Sequence, residues 1–383
     1  MNGEAYVVGA VRTPVGRRGG GLSGVHPADL GAIVVEELLA RTNVRGEHVD
    51  DVIFGCVSQV GAQASNIART VALSAGLPES VPGFTLDRQC GSSQQAVHLA
   101  AQAVASGAQD LVVAGGVEVM SLVPIASPTT LGQEAGLGHP RHGERYRARY
   151  GDQEITQFRG AELIAEHWDL SRERMELYAL ESHRRALAAQ QVGAFDAELV
   201  AVGNVVKDEG PRADTTLERM ASLAPLRPGG RLTAALASQI SDGAAAILVA
   251  SRAALSRYSL LPLARVHAMA VVGSDPVLML TGPIPATEQV LKSAELSLDD
   301  IDVVEVNEAF ASVVLAWQQA TGADPARTNP WGGAIALGHP LGATGARLMT
   351  TMLHDLQRRN LRYGLQVMCE GGGMANATVL ERL

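Results

Sequence analysis

Three cysteines and one loop histidine carry most of the reactive chemistry in this sequence. Cys90 stands in Thr85-Leu-Asp-Arg-Gln-Cys90-Gly-Ser-Ser-Gln, between a short expected strand and the start of an expected helix. A thiol placed there faces unpaired backbone N–H groups and the positive end of a helix dipole, both of which favour thiolate. The expectation is a lowered pKa and a nucleophile, although a small buried residue in a turn fits the same local context. His339 lies in Gly332-Gly-Ala-Ile-Ala-Leu-Gly338-His339-Pro340-Leu-Gly342-Ala-Thr-Gly345. Flanking glycines allow close backbone approach and Pro340 fixes the chain direction. An imidazole so held suits proton transfer near neutral pH, and a solvated loop histidine is the plainer reading. Cys369 ends an apolar run and is followed by Glu370-Gly371-Gly372-Gly373, which offers bare backbone N–H groups; a buried strand cysteine is equally consistent. Cys56, in Val52-Ile-Phe-Gly-Cys56-Val, has no glycine run or helix start after it and reads as core.

The elements that must position these residues alternate. Tyr6–Val11 and Asp51–Val57 read as strands, and Pro27 to Leu39 as a helix with Pro27 in its first turn. Asn66–Ala75 and Ser92–Ser106 read as helices stopped by Gly76 and Gly107, and Asp110–Ala114 as a strand running into Gly115-Gly116. Such alternation indicates an α/β fold with a mostly parallel sheet. From Val119 to Ile240 the pattern loosens: Gly, Pro, His and Arg cluster between Ser127 and Gly151, and a strongly helical stretch runs from Gln157 to Gln190. The body resumes at Asp242 with an apolar strand, then Leu263–Val272 and Val303–Val306 as strands and Ala309–Gln319 as a helix. Gly342 opens a small-residue helix to about Arg359, followed by strand Leu365–Cys369. Cys90 to Gly115 and Gly342 to Gly371 share one plan of turn, small-residue helix, apolar strand and glycine cluster, which suggests an internal duplication.

Composition narrows the function. The 383 residues, 46% hydrophobic and 19% charged, can bury a large core, so a disordered or fibrous chain is excluded. A net charge of −9 argues against nucleic acid as a partner. Three scattered cysteines make no disulfide framework or zinc spacing, and reduced thiols point to a cytoplasmic setting. No signal-like start and no long apolar run appear, so no membrane span is expected. Gly19-Gly-Gly21-Leu-Ser-Gly24 satisfies a dinucleotide-binding pattern, but Arg12-Thr-Pro-Val-Gly-Arg-Arg separates it from the strand and the helix starts only near Pro27. His139-Pro-Arg-His142 lacks a third ligand at metal spacing, so no metal is expected.

Taken together, the motifs resemble the thiolase family from end to end. Arg12-Thr-Pro, Cys90-Gly-Ser-Ser, Ser238 with Ser241-Asp242-Gly243, Gly282-Pro-Ile-Pro, Asn307-Glu-Ala-Phe310, the His339 loop and Cys369-Glu-Gly371 occur in the family's order. The resemblance implies a five-layered αβαβα fold of two similar halves. Residues 1–118 with 242–262 would form the first half, 119–241 an inserted loop domain, and 263–383 the second half. It implies CoA-dependent cleavage of 3-ketoacyl-CoA to acetyl-CoA and a shortened acyl-CoA, by reversible Claisen chemistry. Cys90 would carry the acyl group, His339 would take its proton, and Cys369 would move a proton at the substrate α-carbon. Asn307 with His339 would support one oxyanion hole through a water, and the N–H groups of Cys90 and Gly371 the other. Arg212 and Ser238 would contact CoA, which is a substrate, so no cofactor or metal is implied. The arginines of Ser127–Gly151 (Arg141, Arg145, Arg147, Arg149) match a stretch used for tetramer contacts, so a homodimer or homotetramer is expected.

Two departures from the family pattern bear on the substrate. Trp331 replaces the asparagine common before the double glycine, and Thr233-Ala-Ala-Leu236 replaces a polar, flexible turn. The tract around Cys90 is similar to degradative actinobacterial thiolases, some acting on steroid side chains, which favours cleavage over synthesis. The alternatives are a biosynthetic acetoacetyl-CoA thiolase and a non-catalytic acyl-CoA or sterol carrier on the same scaffold. A decarboxylating condensing enzyme would lack the cysteine at 369, and a decayed carrier would be expected to lose Cys90, His339 or Asn307.

Overall fold

The computed structural model describes residues 3–383. Strands β1 (Ala5–Arg12) and β2 (Gly16–Arg17) lead to α1 (Pro27–Thr42), β3 (Asp51–Gly55), α2 (Ile67–Ser74), β4 (Gly83–Leu86), α3 (Ser92–Ser106) and β5 (Leu111–Val119). The loosely patterned segment gives α4 (Ser127–Glu134), α5 (Glu144–Tyr150), α6 (Gln157–His167), α7 (Arg172–Gln191) and α8 (Leu217–Ala221). Then come β6 (Ser241–Ser251), α9 (Arg252–Tyr258), β7 (Ala264–Gly273), α10 (Pro283–Ala294), β8 (Val303–Val306) and α11 (Ala311–Thr321). The chain closes with α12 (Ala334–Leu337), α13 (Thr344–Arg359), β9 (Tyr363–Glu370) and β10 (Met374–Arg382).

Two of these elements depart from the sequence reading. The helical stretch 157–190 is two helices, because Asp169 takes a left-handed φ of 48° and the Ser171 side chain caps the N-terminus of α7. Strand β10 follows the glycine triplet and was not anticipated; it pairs with both β7 and β9 and is buried along nearly its whole length.

The sheet is not the mostly parallel one that the alternation of strands and helices indicates: antiparallel pairs predominate, because β1, β6, β7 and β10 return against their neighbours, and the duplication is visible in the pairing. One sheet runs β4-β3-β5-β6-β1 and the other β8-β9-β10-β7. In the first, β3 pairs in parallel with β4 and β5, then β6 and β1 run antiparallel. In the second, β8 pairs in parallel with β9, then β10 and β7 run antiparallel, and a bridge from Val304 to Thr328 stands where β4 stands in the first. Edge strands β1 and β7 touch at Tyr6–Arg265 and Val7–Ala264, which joins the sheets into one ten-stranded ladder. The apolar clusters supply the layers. Helices α1 and α2 cover the outer face of the first sheet, α3 and α13 fill the space between the sheets, and α10 and α11 cover the second.

A helix between two sheets must be thin and apolar all round. Helix α3 therefore exposes almost nothing and uses Ala96, Ala100 and Ala101, while α13 crosses it at Gly345. A Cβ at 345 would lie 2.4 Å from the Gln94 main-chain nitrogen, so any side chain there would force the helices apart. Only some of the polar groups drawn into this layer find partners: Gln94 and His98 both meet the Thr378 hydroxyl, each at 2.7 Å, whereas the buried Arg347 guanidinium of α13 makes no hydrogen bond to any described residue.

The Arg12-Thr-Pro motif ties the inserted segment to the body. The fully buried Arg12 guanidinium pairs with Glu198 at 2.5 Å and Asp208 at 2.6 Å. Removing Arg12 would leave both buried carboxylates without their cation, at a cost of about 3–5 kcal/mol. Among the described residues, no helix is long and apolar enough to cross a membrane, and no group of three or more His, Cys, Asp or Glu could hold a metal ion.

Candidate active site

Cys90 is placed by a tight turn between β4 and α3. Gln89 adopts a left-handed φ of 51°, uncommon for a residue with a side chain. The turn is over-determined by hydrogen bonds: the Gln89 N–H donates to Asp87 Oδ1 at 2.7 Å, and the Ser92 hydroxyl donates to the Gln89 carbonyl at 2.6 Å. The thiol is buried against Met120, Leu341, Leu348 and Met368.

Burial reverses the expectation for this thiol. Desolvation raises the Cys90 pKa well above that of an ordinary cysteine, the nearby Cys369 and Glu370 add to the rise, and the N–H groups of Cys90 and Gly371 only partly oppose it. The donors at the helix start favour thiolate, but the dry, electronegative surroundings outweigh them. At rest Cys90 is a neutral thiol.

His339 stands where α12 ends. Gly338 takes φ 104°, and a Cβ there would lie 2.2 Å from the Ser241 hydroxyl, so only glycine lets the loop pass. The His339 N–H reaches the Gln239 carbonyl at 3.1 Å and Ser241 Oγ at 3.2 Å. Gln239 and Ser241 are themselves held by a small antiparallel bridge between Ala237 and Phe310, where the Ser238 N–H donates to the Ala309 carbonyl. From the other side Glu118 at the end of β5 accepts from the N–H groups of Val57, Ser58 and Gly342, which ties the histidine loop to the first sheet.

The imidazole tautomer follows from one hydroxyl. Thr344 Oγ1 donates its single proton to the Pro340 carbonyl at 2.7 Å, and so must accept from His339 Nδ1–H at 2.6 Å. That leaves Nε2 unprotonated, 3.5 Å from the Asn307 amide nitrogen. Burial, helped by the positive Arg347, lowers the His339 pKa to about 3, so the ring is neutral with its lone pair available. Thr344 is a functional residue the sequence reading missed; its signal was a hydroxyl five positions after His339 in the same quoted tract. Thr344→Val is expected to release the ring and cut turnover by about 10²-fold, with the KM for CoA little changed. Thr344→Ser should restore the wild-type rate; a fully active valine variant would refute the tautomer assignment.

Asn307 joins the remaining groups. It follows β8, where its N–H donates to the Val367 carbonyl at 3.0 Å. Its amide reaches both His339 and the Cys369 thiol, while its buried Oδ1 has no protein partner. Cys369, fully buried at the end of β9, has its pKa pushed up to about 12 by burial, with the Asn307 hydrogen bond pulling the other way. The next residue, Glu370, was also missed. Its two buried carboxylate oxygens have no partner, and burial raises its pKa to about 8.

The structure therefore brings Cys90, Gly371, Cys369, Asn307 and His339 into one continuous set. Cys90 and Gly371 line a cavity of about 560 Å³ walled by α4, the start of α6 and Met279. Arg212 and Ser238 are not part of that wall. Arg212 is exposed and opens on a separate cavity of about 280 Å³ whose lining includes His183, Ala235 and Gln239, the residue whose carbonyl holds His339. Ser238 is half-buried and engages the site through its main chain. Of the two sequence departures, Ala235 faces the Arg212 cavity and Leu236 is buried in the core of the inserted segment. Trp331 lines neither cavity; it packs near Ala186 and Phe195 under the Arg358 guanidinium, 4.2 Å from its ring.

The chemistry available is acyl transfer through a thiol, with a neutral base, a second thiol and converging backbone donors. Comparison with known proteins agrees. Residues 5–253 match the thiolase N-terminal domain model and residues 260–382 the thiolase C-terminal domain model. The chain is 59% identical to steroid 3-ketoacyl-CoA thiolase FadA6 of Mycobacterium tuberculosis, over 99% of this chain and 94% of that protein. It is 43% identical to a beta-ketoadipyl-CoA thiolase of Acinetobacter baylyi, over 99% of this chain and all of that protein. The crystal structure of the Bacillus anthracis acetyl-CoA acetyltransferase superposes with a TM-score of 0.90 at 37% identity, covering 100% of both chains.

Proposed function

The chain belongs to the thiolase family, and from that premise we propose that it cleaves 3-ketoacyl-CoA with CoA through an acyl-Cys90 intermediate. The observation that carries this reading is the run of neighbouring groups that leads from Cys90 and the Gly371 N–H on the cavity wall, through the Cys369 thiol and the Asn307 amide, to the neutral His339 imidazole.

Each group has a role its environment supports. The Cys90 sulfur attacks the C3 carbonyl while His339 Nε2 takes the thiol proton, so no free Cys90 thiolate has to form first in the dry site. The C3 oxyanion is met by the N–H groups of Cys90 and Gly371. The C2–C3 bond breaks, its electrons pass to the acetyl-CoA enolate, and the enolate oxygen is met by protonated His339 Nε2 and a water on Asn307. The Cys369 thiol then protonates C2, releasing acetyl-CoA. In the second half, the Cys369 thiolate takes the proton of an incoming CoA thiol. The CoA sulfur attacks the thioester, and the departing Cys90 sulfur recovers its proton from His339. Thioester is exchanged for thioester, so neither a metal nor a resident cofactor is needed.

CoA approaches, in this reading, along the Arg212 cavity, where a guanidinium suits phosphate oxygens. Cleavage is favoured over synthesis by the similarity to a steroid 3-ketoacyl-CoA thiolase and by a Cys90 cavity far larger than an acetyl group needs. Exposed Leu122, Leu131 and Leu137, with the exposed arginines of α5, support a homodimer or homotetramer. Three free cysteines suit the reducing cytoplasm.

A thiolysis panel tests the reading. With CoA, the purified protein should cleave acetoacetyl-CoA slowly and longer 3-ketoacyl-CoAs faster, by ping-pong kinetics. No cleavage at any chain length would reject it.

A further inference from the structure

One side chain is shared by the catalytic loop and the inserted segment. Helix α12, whose end delivers His339, has only four residues, so it cannot satisfy its own terminal groups. At its start the Glu308 carboxylate accepts from the Ile335 N–H at 3.0 Å, and the Ser182 hydroxyl accepts from the Gly333 N–H at 3.1 Å. At its end the orphan carbonyls fall to Gln239, whose Nε2 donates to those of Ile335 and Ala336, each at 2.9 Å. The same amide donates to the Gly210 carbonyl at 3.1 Å, so its two protons serve three acceptors. The Gln239 carbonyl in turn receives the His339 N–H at 3.1 Å and the Ser241 hydroxyl at 3.0 Å. Gln239 therefore holds both α12 and His339.

Gly210 belongs to the inserted segment, two residues before Arg212. It packs so closely on α12 that a Cβ there would lie 2.4 Å from the Ala336 carbonyl oxygen and 3.0 Å from that of Leu337. The Arg212 N–H donates to His183 Nδ1 at 3.2 Å, which fixes the same segment to α7. Gln239, Ile335, Arg212 and His183 all line the cavity of about 280 Å³. One neutral amide thus gathers a carbonyl of the inserted segment and two of the helix that leads to the base. Without it those three carbonyls lose a donor, and neither element fixes the other.

We propose that Gln239 is a positioning residue of the reaction: it holds the His339 main chain and the Arg212 segment in one network, so that CoA settling in the Arg212 cavity steadies the loop that carries the base. This rests on the thiolase reading and on CoA as the occupant of that cavity. Gln239 acts through His339 and meets none of the reacting atoms. Its leverage is geometric, since misplacing a reacting group by about 1 Å costs about 10²-fold in rate.

The test uses the full-length enzyme and Gln239→Met, which keeps the length of the side chain and removes its donors. Two quantities are read: kcat for acetoacetyl-CoA cleavage, with CoA or with pantetheine as the accepting thiol, and the Kd of CoA by calorimetry. The kcat should fall about 10- to 100-fold with either thiol, because His339 serves both. The Kd of CoA should rise about three- to tenfold. Gly210→Ala, which parts the same junction from the inserted segment and leaves Gln239 in place, should reproduce both losses. In the wild type, CoA should slow hydrogen exchange across residues 334–339, a readout that needs no variant to fold. A folded variant of either kind in which only one quantity moves, or neither, overturns the proposal, and so does exchange that CoA leaves unchanged. Arg212→Gln shows whether CoA occupies that cavity: an unchanged Kd there removes the premise, and the proposal with it, without touching cleavage. A wild type that cleaves no 3-ketoacyl-CoA rejects the thiolase reading itself.

Discussion

Cys90→Ser is expected to lower CoA-dependent cleavage by at least about 10⁴-fold, the order lost when an activated nucleophile is removed. Serine is nearly isosteric, so the turn at Gln89 and the packing on Leu341 and Met368 should survive. What is lost is chemical: a hydroxyl is a poorer nucleophile, and an oxygen ester exchanges with CoA far less readily than a thioester. The pH dependence carries a sharper sign. The Cys90 thiol lies well above, and His339 at about 3, below, the working range, so both are neutral at rest and neither titrates near neutrality. Glu370 does, with its pKa raised to about 8. As pH rises through that value its carboxylate appears beside both thiols and disfavours their ionisation. Single-turnover acylation should therefore run level from mildly acid to neutral pH and fall above about 8. A site that works through a preformed thiolate predicts the opposite, a rise with pH as Cys90 ionises.

Cys369→Ala is expected to separate the two halves of the reaction. Acylation of Cys90 by acetyl-CoA does not require C2 proton transfer; Cys369 serves there only to protonate the departing CoA sulfur, a stable thiolate that solvent can protonate instead, so acylation should persist within about tenfold of wild type on His339 and the backbone donors. Formation or cleavage of the C2–C3 bond should drop by about 10³-fold or more, because the other base beside Asn307, His339, is occupied with the Cys90 proton and the enolate oxygen and cannot also move the α-proton. Measuring acyl-enzyme formation and acetoacetyl-CoA thiolysis on the same preparation reads both numbers. Equal loss in the two assays would mean that Cys369 supports the fold of the site and not a particular step.

Much of this was legible along the chain. The glycines at 338 and 345, Pro340, and the cysteines at strand and helix boundaries all mark places where backbone must pass closely or change direction, and such demands are written in residue type. The alternation of strands and helices likewise exposed the two similar halves. What was not legible depended on neighbours distant in sequence. The Cys90 pKa moved opposite to its local context because Met368, Cys369 and Glu370 come from β9 of the other half. The tautomer of His339 depended on which way one hydroxyl points. Arg141 was one of four arginines in a tract, and only folding separates the one turned toward the cavity from three facing water. Trp331, a conspicuous departure beside the histidine loop, turned out to pack under Arg358 away from either cavity.

The most direct test is to mix the protein with acetyl-CoA, quench in acid and locate any acetyl group by peptide mass spectrometry. The acetyl group should sit on Cys90 alone and disappear when CoA is added before the quench. An acetyl group on Cys369 or Cys56, or none on an enzyme that cleaves 3-ketoacyl-CoA, would contradict the assignment of Cys90 as acyl carrier.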